Sequence, residues 1–143
     1  MKKPFTMKYS LLSLLILFSS FAIGQNDKAK PPVIAVKVPL DGAVVLKGVT
    51  IKFLEVVEDS RCPEGVSCIW AGRAIVKVEV TANGKINEET LIFGELRPGE
   101  KKNTTLYSSN EFAINGLTLN PYPSVENSED TMYVLLINEE KNQ

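Results

Sequence analysis

Ala74-Ile75-Val76-Lys77-Val78-Glu79-Val80-Thr81, closed two residues later by Asn83-Gly84, is the stretch that decides the fold. Successive side chains of an extended strand point to opposite sides, so Val76, Val78 and Val80 share one face and Lys77 and Glu79 the other. The β-branched residues suit a pleated, half-buried surface. Asn83 and Gly84 both tolerate positive φ and predict a tight type I′ turn into a return strand running through Ile86 to Phe93. The pattern leaves the register of that pair open.

The same signature extends in both directions. Val33 to Val38, Gly42 to Leu46 and Val49 to Leu54 are short β-branched runs parted by Pro39, Asp41-Gly42 and Lys47-Gly48, and Val49, Ile51 and Phe53 alternate with Thr50 and Lys52. Downstream, Gly94 to Asn103 reads as a charged surface turn, followed by runs at Thr104 to Tyr107, Glu111 to Ile114 and Leu117 to Asn120. Thr131 to Ile137 is apolar on both faces, as a central strand would be. No stretch beyond the N-terminal segment sustains apolar residues at helical spacing. The fold class expected is all-β, a small antiparallel sandwich or barrel of about 7–9 strands forming a single domain over 33–140.

Composition narrows the functions available. A 143-residue chain with 44% hydrophobic residues, nine Gly and eight Pro has the balance of one globular domain. Sixteen Lys and Arg against seventeen Asp and Glu give a net charge of -1, which lacks the basic footprint of a nucleic-acid-binding protein. There is no histidine, so His-containing catalytic triads, zinc hydrolase sites and type 1 copper sites are excluded.

The N-terminus reads as an export signal over residues 1–24. Lys2, Lys3 and Lys8 precede the apolar run Leu11 to Phe18, and small residues at Ala22 and Gly24 match a signal peptidase site that leaves Gln25 first. The apolar run is short for a membrane span and broken by serines, so cleavage is expected rather than stable insertion. No cysteine follows it to carry a lipid, so a soluble periplasmic or secreted product is predicted. Residues 25–32 are polar with two prolines and read as a flexible lead-in.

One segment departs from ordinary strand-and-turn chemistry. Glu58 to Arg73 contains both cysteines, Cys62 and Cys68, the single tryptophan, Trp70, and Arg61 and Arg73, alongside Pro63, Gly65 and Gly72. In an oxidising compartment two thiols with five residues between them are expected to join, and the spacing is not the C-x-x-C of a redox-active pair. Long cross-linked loops on rigid sheets often carry binding. Two readings stand. Trp70 packs on the bridge as a small satellite core, or Trp70 is displayed, with Asp59, Arg61 and Arg73 beside it as binding residues. Asp59 is expected to pair with Arg61 or Arg73 and so shape the loop.

The segment Asp59-Ser60-Arg61-Cys62-Pro63, four residues, then Cys68-Ile69-Trp70-Ala71-Gly72 resembles a group of small, β-rich exported bacterial proteins without established activity. Asn120-Pro121-Tyr122-Pro123 is similar as well. The resemblance implies fold class and location, and it supplies no catalytic assignment.

Three functions are compatible with these residues. The first is a noncatalytic binding domain of the cell envelope, offering the Trp70 face and the Arg61 and Arg73 guanidinium groups to a protein or glycan. The second is a secreted protease inhibitor presenting Arg61 or Pro63-Glu64-Gly65 on the stapled loop. The third is a small hydrolase using carboxylates such as Glu55, Glu58 and Asp59. Glu126 to Asp130 offers oxygen ligands without the EF-hand pattern, and Asn103-Thr104-Thr105 fits a glycosylation sequon. No metal and no cofactor is predicted.

Overall fold

A computed structural model describes residues 33–125 and 132–142. The export signal, the lead-in and the Glu126 to Asp130 loop lie outside the described residues. Eight strands follow in order: β1 (Ala35–Pro39), β2 (Ala43–Leu46), β3 (Val49–Asp59), β4 (Arg73–Ala82), β5 (Lys85–Gly94), β6 (Thr105–Ser108), β7 (Phe112–Asn120) and β8 (Val134–Lys141). They form two four-stranded antiparallel sheets, ordered β1-β8-β7-β6 and β2-β3-β4-β5. The expected all-β class holds, and two open sheets facing one another make it a sandwich rather than a closed barrel.

The alternation read in β4 becomes the inner face. Val76, Val78 and Val80 join Ile51, Phe53 and Leu91 from one sheet, packed against Val38, Ile114, Leu119, Leu135 and Ile137 from the other. Burying such side chains contributes about 1.5–3 kcal/mol each. Gly116 on β7 is what lets the layers close there, because a Cβ at that position would lie 2.5 Å from Leu91 Cδ1 and 3.2 Å from Phe93 Cζ. Asn83 and Gly84 adopt φ of 52° and 74°, and Ala82 pairs with Lys85, so the predicted two-residue turn forms and sets the β4–β5 register.

Some boundaries differ from the sequence reading. The runs at Glu111 to Ile114 and Leu117 to Asn120 are one strand, β7, whose pairing with β8 carries an irregularity between Gly116 and Thr118. A bulge absorbs an extra residue and locally offsets the side-chain alternation, which is why the run looked broken. β3 likewise continues past Leu54 to Asp59 through register shifts at Phe53/Glu55 and Val56/Glu58. β8 starts three residues later than expected and lies between β1 and β7, the central place its two apolar faces indicated.

Candidate functional site

The long loop is the connection between β3 and β4, residues 60–72, and its root continues the hairpin after the strands end. Ser60 N–H donates to the Arg73 carbonyl and Cys62 N–H to the Ala71 carbonyl, each at 2.8 Å. Gly72, at φ +72°, makes this narrow root possible, since a Cβ there would fall 1.9 Å from the Ser60 carbonyl oxygen. Above the root Cys62 and Cys68 are joined, with their Cα atoms 5.9 Å apart. This bond fits an oxidising, non-cytoplasmic compartment.

Arg61 is 6% exposed and points inward. Its Nε donates to Asp59 Oδ1 and its Nη2 to Asp59 Oδ2, both at 2.7 Å, the parallel geometry of a bidentate pair. Nη1 donates to the Leu119 carbonyl at 2.7 Å and Nη2 also to the Pro121 carbonyl at 3.0 Å. The guanidinium lies 4.7 Å from the centroid of the Tyr122 ring. Tyr133 completes the group by donating its hydroxyl to Asp59 Oδ2 at 3.1 Å. Burial works against the Asp59 charge, but the Arg61 hydrogen bonds and charge outweigh it and hold this carboxyl below its ordinary value. Burial and the neighbouring Asp59 charge push the Tyr133 hydroxyl up.

Leu119 lies beyond the level where β6 runs beside β7, since that pairing stops at Asn115. Arg61 therefore supplies a donor where no strand does, and binds the loop to the β7–β8 corner. A second tie on that side is the Glu64 N–H donating to the Pro123 carbonyl at 2.9 Å.

Arg73 makes the opposite attachment. It is 5% exposed and is shared between two carboxylates: Nη2 donates to Glu58 Oε2 at 3.1 Å, and Nη1 to Glu100 Oε2 at 2.7 Å. Glu100 also accepts the Arg97 N–H at 2.7 Å, and Glu58 accepts the Ser60 hydroxyl at 2.8 Å. Arg73 hydrogen bonds hold Glu58 below its ordinary value, and the Arg97 N–H followed by Arg73 does the same for Glu100. The loop between β5 and β6 is thereby drawn against the root.

The tip is built differently. Trp70 is 73% exposed, and Ile69 and Val66 also face solvent. The satellite-core reading is corrected by this exposure: the side chain buried at the base of the loop is Arg61, not the indole. Trp70 instead stands between two shallow grooves. One, about 440 Å³, is walled by Pro63, the Cys62–Cys68 bridge and Ile69. The other, about 250 Å³, lies against Arg73, Leu96 and Arg97.

Of the four binding candidates, the structure displays only Trp70. Asp59, Arg61 and Arg73 converge on the root, with their charged groups engaged inside the protein. The carboxylates considered for hydrolysis are ion-paired as well, Glu55 to Lys77 at 2.7 Å, Glu58 to Arg73 and Asp59 to Arg61. A general acid needs a raised pKa, whereas Glu58 and Asp59 are held low. Arg61, which an inhibitor would present, is enclosed, and Asn103 of the sequon donates its amide to Glu89 at 3.3 Å. Tyr133, Glu100 and the Leu119 carbonyl were not found from sequence, because each lies far along the chain from its partner, Asp59 for Tyr133, Arg73 for Glu100 and Arg61 for Leu119.

No family model matches the chain, and no curated protein or solved structure is significantly similar to it.

Proposed function

We propose that the protein is a noncatalytic binding domain exported from the cytoplasm, and that the tip of its 60–72 loop is the contact surface. The observation that carries this reading is the exposure of Ile69 and Trp70 on a loop held by a disulfide and two buried arginines. Exposing an indole and a branched aliphatic side chain side by side gives the folded chain no burial energy, whereas an aromatic anchor in a partner's pocket is a common source of binding energy. The clamped root keeps the tip in one shape before contact, which lowers the ordering entropy lost on docking.

Three features support action outside the cytoplasm: the Lys2 to Gly24 segment, the Cys62–Cys68 bridge and the resemblance of the Asp59 to Gly72 segment to exported bacterial β proteins. The partner of this tip is a protein or glycan of the cell envelope.

A photoreactive amino acid at Val66, beside the tip, tests this in intact cells. Cross-linked adducts form with the native tip and disappear when Ile69→Ser and Trp70→Ala are combined, with the unfolding transition unchanged. Adducts that persist at the same level in the double variant contradict the proposal.

A further inference from the structure

Among the described residues the two sheets end in four edge strands, and β5 differs from the other three. β1 has five residues and ends at Pro39, β2 has four, and β6 has four with a register irregularity. A short strand, a proline or a bulge blunts an edge against further pairing. β5 has ten residues, no proline and an unbroken register with β4 from Lys85 to Gly94.

The two-residue turn fixes which way the backbone groups of β5 point. In such a hairpin the flanking residues, Ala82 and Lys85, form a hydrogen-bonded pair, and the direction then alternates along the strand. Lys85, Asn87 and Glu89 therefore turn their N–H and C=O groups to β4. The Glu95 N–H keeps the same alternation, since it donates to the Gly72 carbonyl at 3.2 Å. Ile86, Glu88 and Thr90 turn theirs outward, where no group among the described residues bonds them. Lys85 to Glu88 are all exposed, Ile86 at 64%.

Charge along this edge selects its occupant. Lys85 and Glu89 share one face with Asn87 between them, and neither forms an ion pair among the described residues. Asn103 engages one oxygen of Glu89 and leaves the other for a cation. When two copies pair antiparallel, a register centred on Glu88 or on Glu89 sets two identical carboxylates directly opposite, which is destabilising. Registers centred nearer Gly94 carry the copy's Asn83-Gly84 turn to the level of Leu96 or beyond, where the loop held by Glu100 on Arg73 leaves the strand. Centred on Asn87, the pairing sets Lys85 of each copy opposite Glu89 of the other. Ile86 and Glu88 then exchange their outward N–H and C=O groups across the two-fold axis.

We propose that the occupant of this edge is a second copy of the chain, joined along β5 in the Asn87-centred register so that two four-stranded sheets become one continuous sheet. The edge lies apart from the loop tip, and the inference stands independently of the function proposed for it.

Sedimentation equilibrium of the mature, oxidised protein from about 10 µM to about 1 mM tests the proposal, a range suited to an interface of less than standard size. The mass rises towards that of a dimer with concentration. Lys85→Glu and Glu89→Lys each set like charges opposite one another twice, and each weakens association about fivefold or more. Combining the two reverses both charges and restores association to within about twofold of the native value. Glu88→Pro removes an outward N–H that β4 does not use, so it weakens the dimer while the monomer stays folded. Trp70→Ala leaves association unchanged. A protein that remains monomeric at about 1 mM overturns the proposal and leaves the β5 edge to a strand of another protein. A dimer indifferent to both single charge reversals, or a double variant no better than the singles, overturns it by placing the contact elsewhere.

Discussion

β4 is joined to its two neighbours by connections of opposite construction. At one end Ala82 pairs with Lys85 and Asn83-Gly84 completes the turn in two residues. At the other end Asp59 pairs with Ala74, so the strands are just as close, yet residues 60–72 intervene. Closing an antiparallel hairpin requires only the first arrangement. The additional residues of the second hold a disulfide, a root fixed by Arg61 and Arg73, and a tip where Trp70 and Ile69 meet solvent. The difference separates what chain connection needs from what has been added to it, and the addition is a braced display.

The contrast is broken most severely at Arg61. Arg61→Ala leaves the enclosed Asp59 carboxylate and the Leu119 and Pro121 carbonyls without their donor, and is expected to cost about 3 kcal/mol or more in denaturant unfolding. Asn83→Ala at the short turn should cost about 1 kcal/mol, the penalty of a left-handed backbone without a helpful side chain. Gly72→Ala should exceed that, at about 2–3 kcal/mol and second to Arg61→Ala, because the new Cβ meets the Ser60 carbonyl. Gly65→Ala has similar positive φ but nothing within 4 Å of the added carbon, so its cost should stay near 1 kcal/mol. Equal losses at the two glycines would remove the distinction between a packed root and an open tip.

Replacing both cysteines by serine should lower stability by about 2 kcal/mol, the chain-entropy value for so short a loop. The root survives in this variant, because its arginine pairs do not depend on the bridge, and protection of the Ser60 amide against hydrogen exchange reports it.

Acid sharpens the comparison further. Asp59, Glu58 and Glu100 all titrate below their ordinary values of 3.8, 4.5 and 4.5 in the folded protein. The unfolded chain therefore binds more protons through that range, and the stabilisation is complete above the ordinary values and lost as pH falls through the lowered ones. The root should loosen under acid titration while the Asn83-Gly84 turn, which contains no carboxylate, holds. The smallest stability change belongs to the tip. Ile69→Ser with Trp70→Ala should shift unfolding by no more than about 0.5 kcal/mol, as for other exposed positions.

What the sequence disclosed follows the range of the interactions involved. Alternation in β4, the Asn83-Gly84 turn and the apolar character of β8 are local signals, and each reached the structure intact. The Cys62–Cys68 pairing was legible because only two cysteines exist. Pairing of Asp59 with an arginine was also anticipated from their closeness along the chain. The destinations of Arg61 and Arg73 were not, since Leu119 and Glu100 lie 58 and 27 residues away and only the closing of the sandwich brings them near. Composition left the placement of Trp70 open between core and display, because neither reading differs in the residues it needs near the bridge. The burial of Asn138 gave no signal, because it opens the polar end of β8, before Glu139, Glu140 and Lys141, and reads as surface there.

Trp70 is the single tryptophan, so its fluorescence reports the loop tip alone and decides whether the indole is displayed. In the folded, oxidised protein a displayed Trp70 should emit as red as tryptophan in water and be quenched by acrylamide nearly as readily as the free amino acid. Blue-shifted emission with weak quenching would place the indole in a packed core and contradict the display.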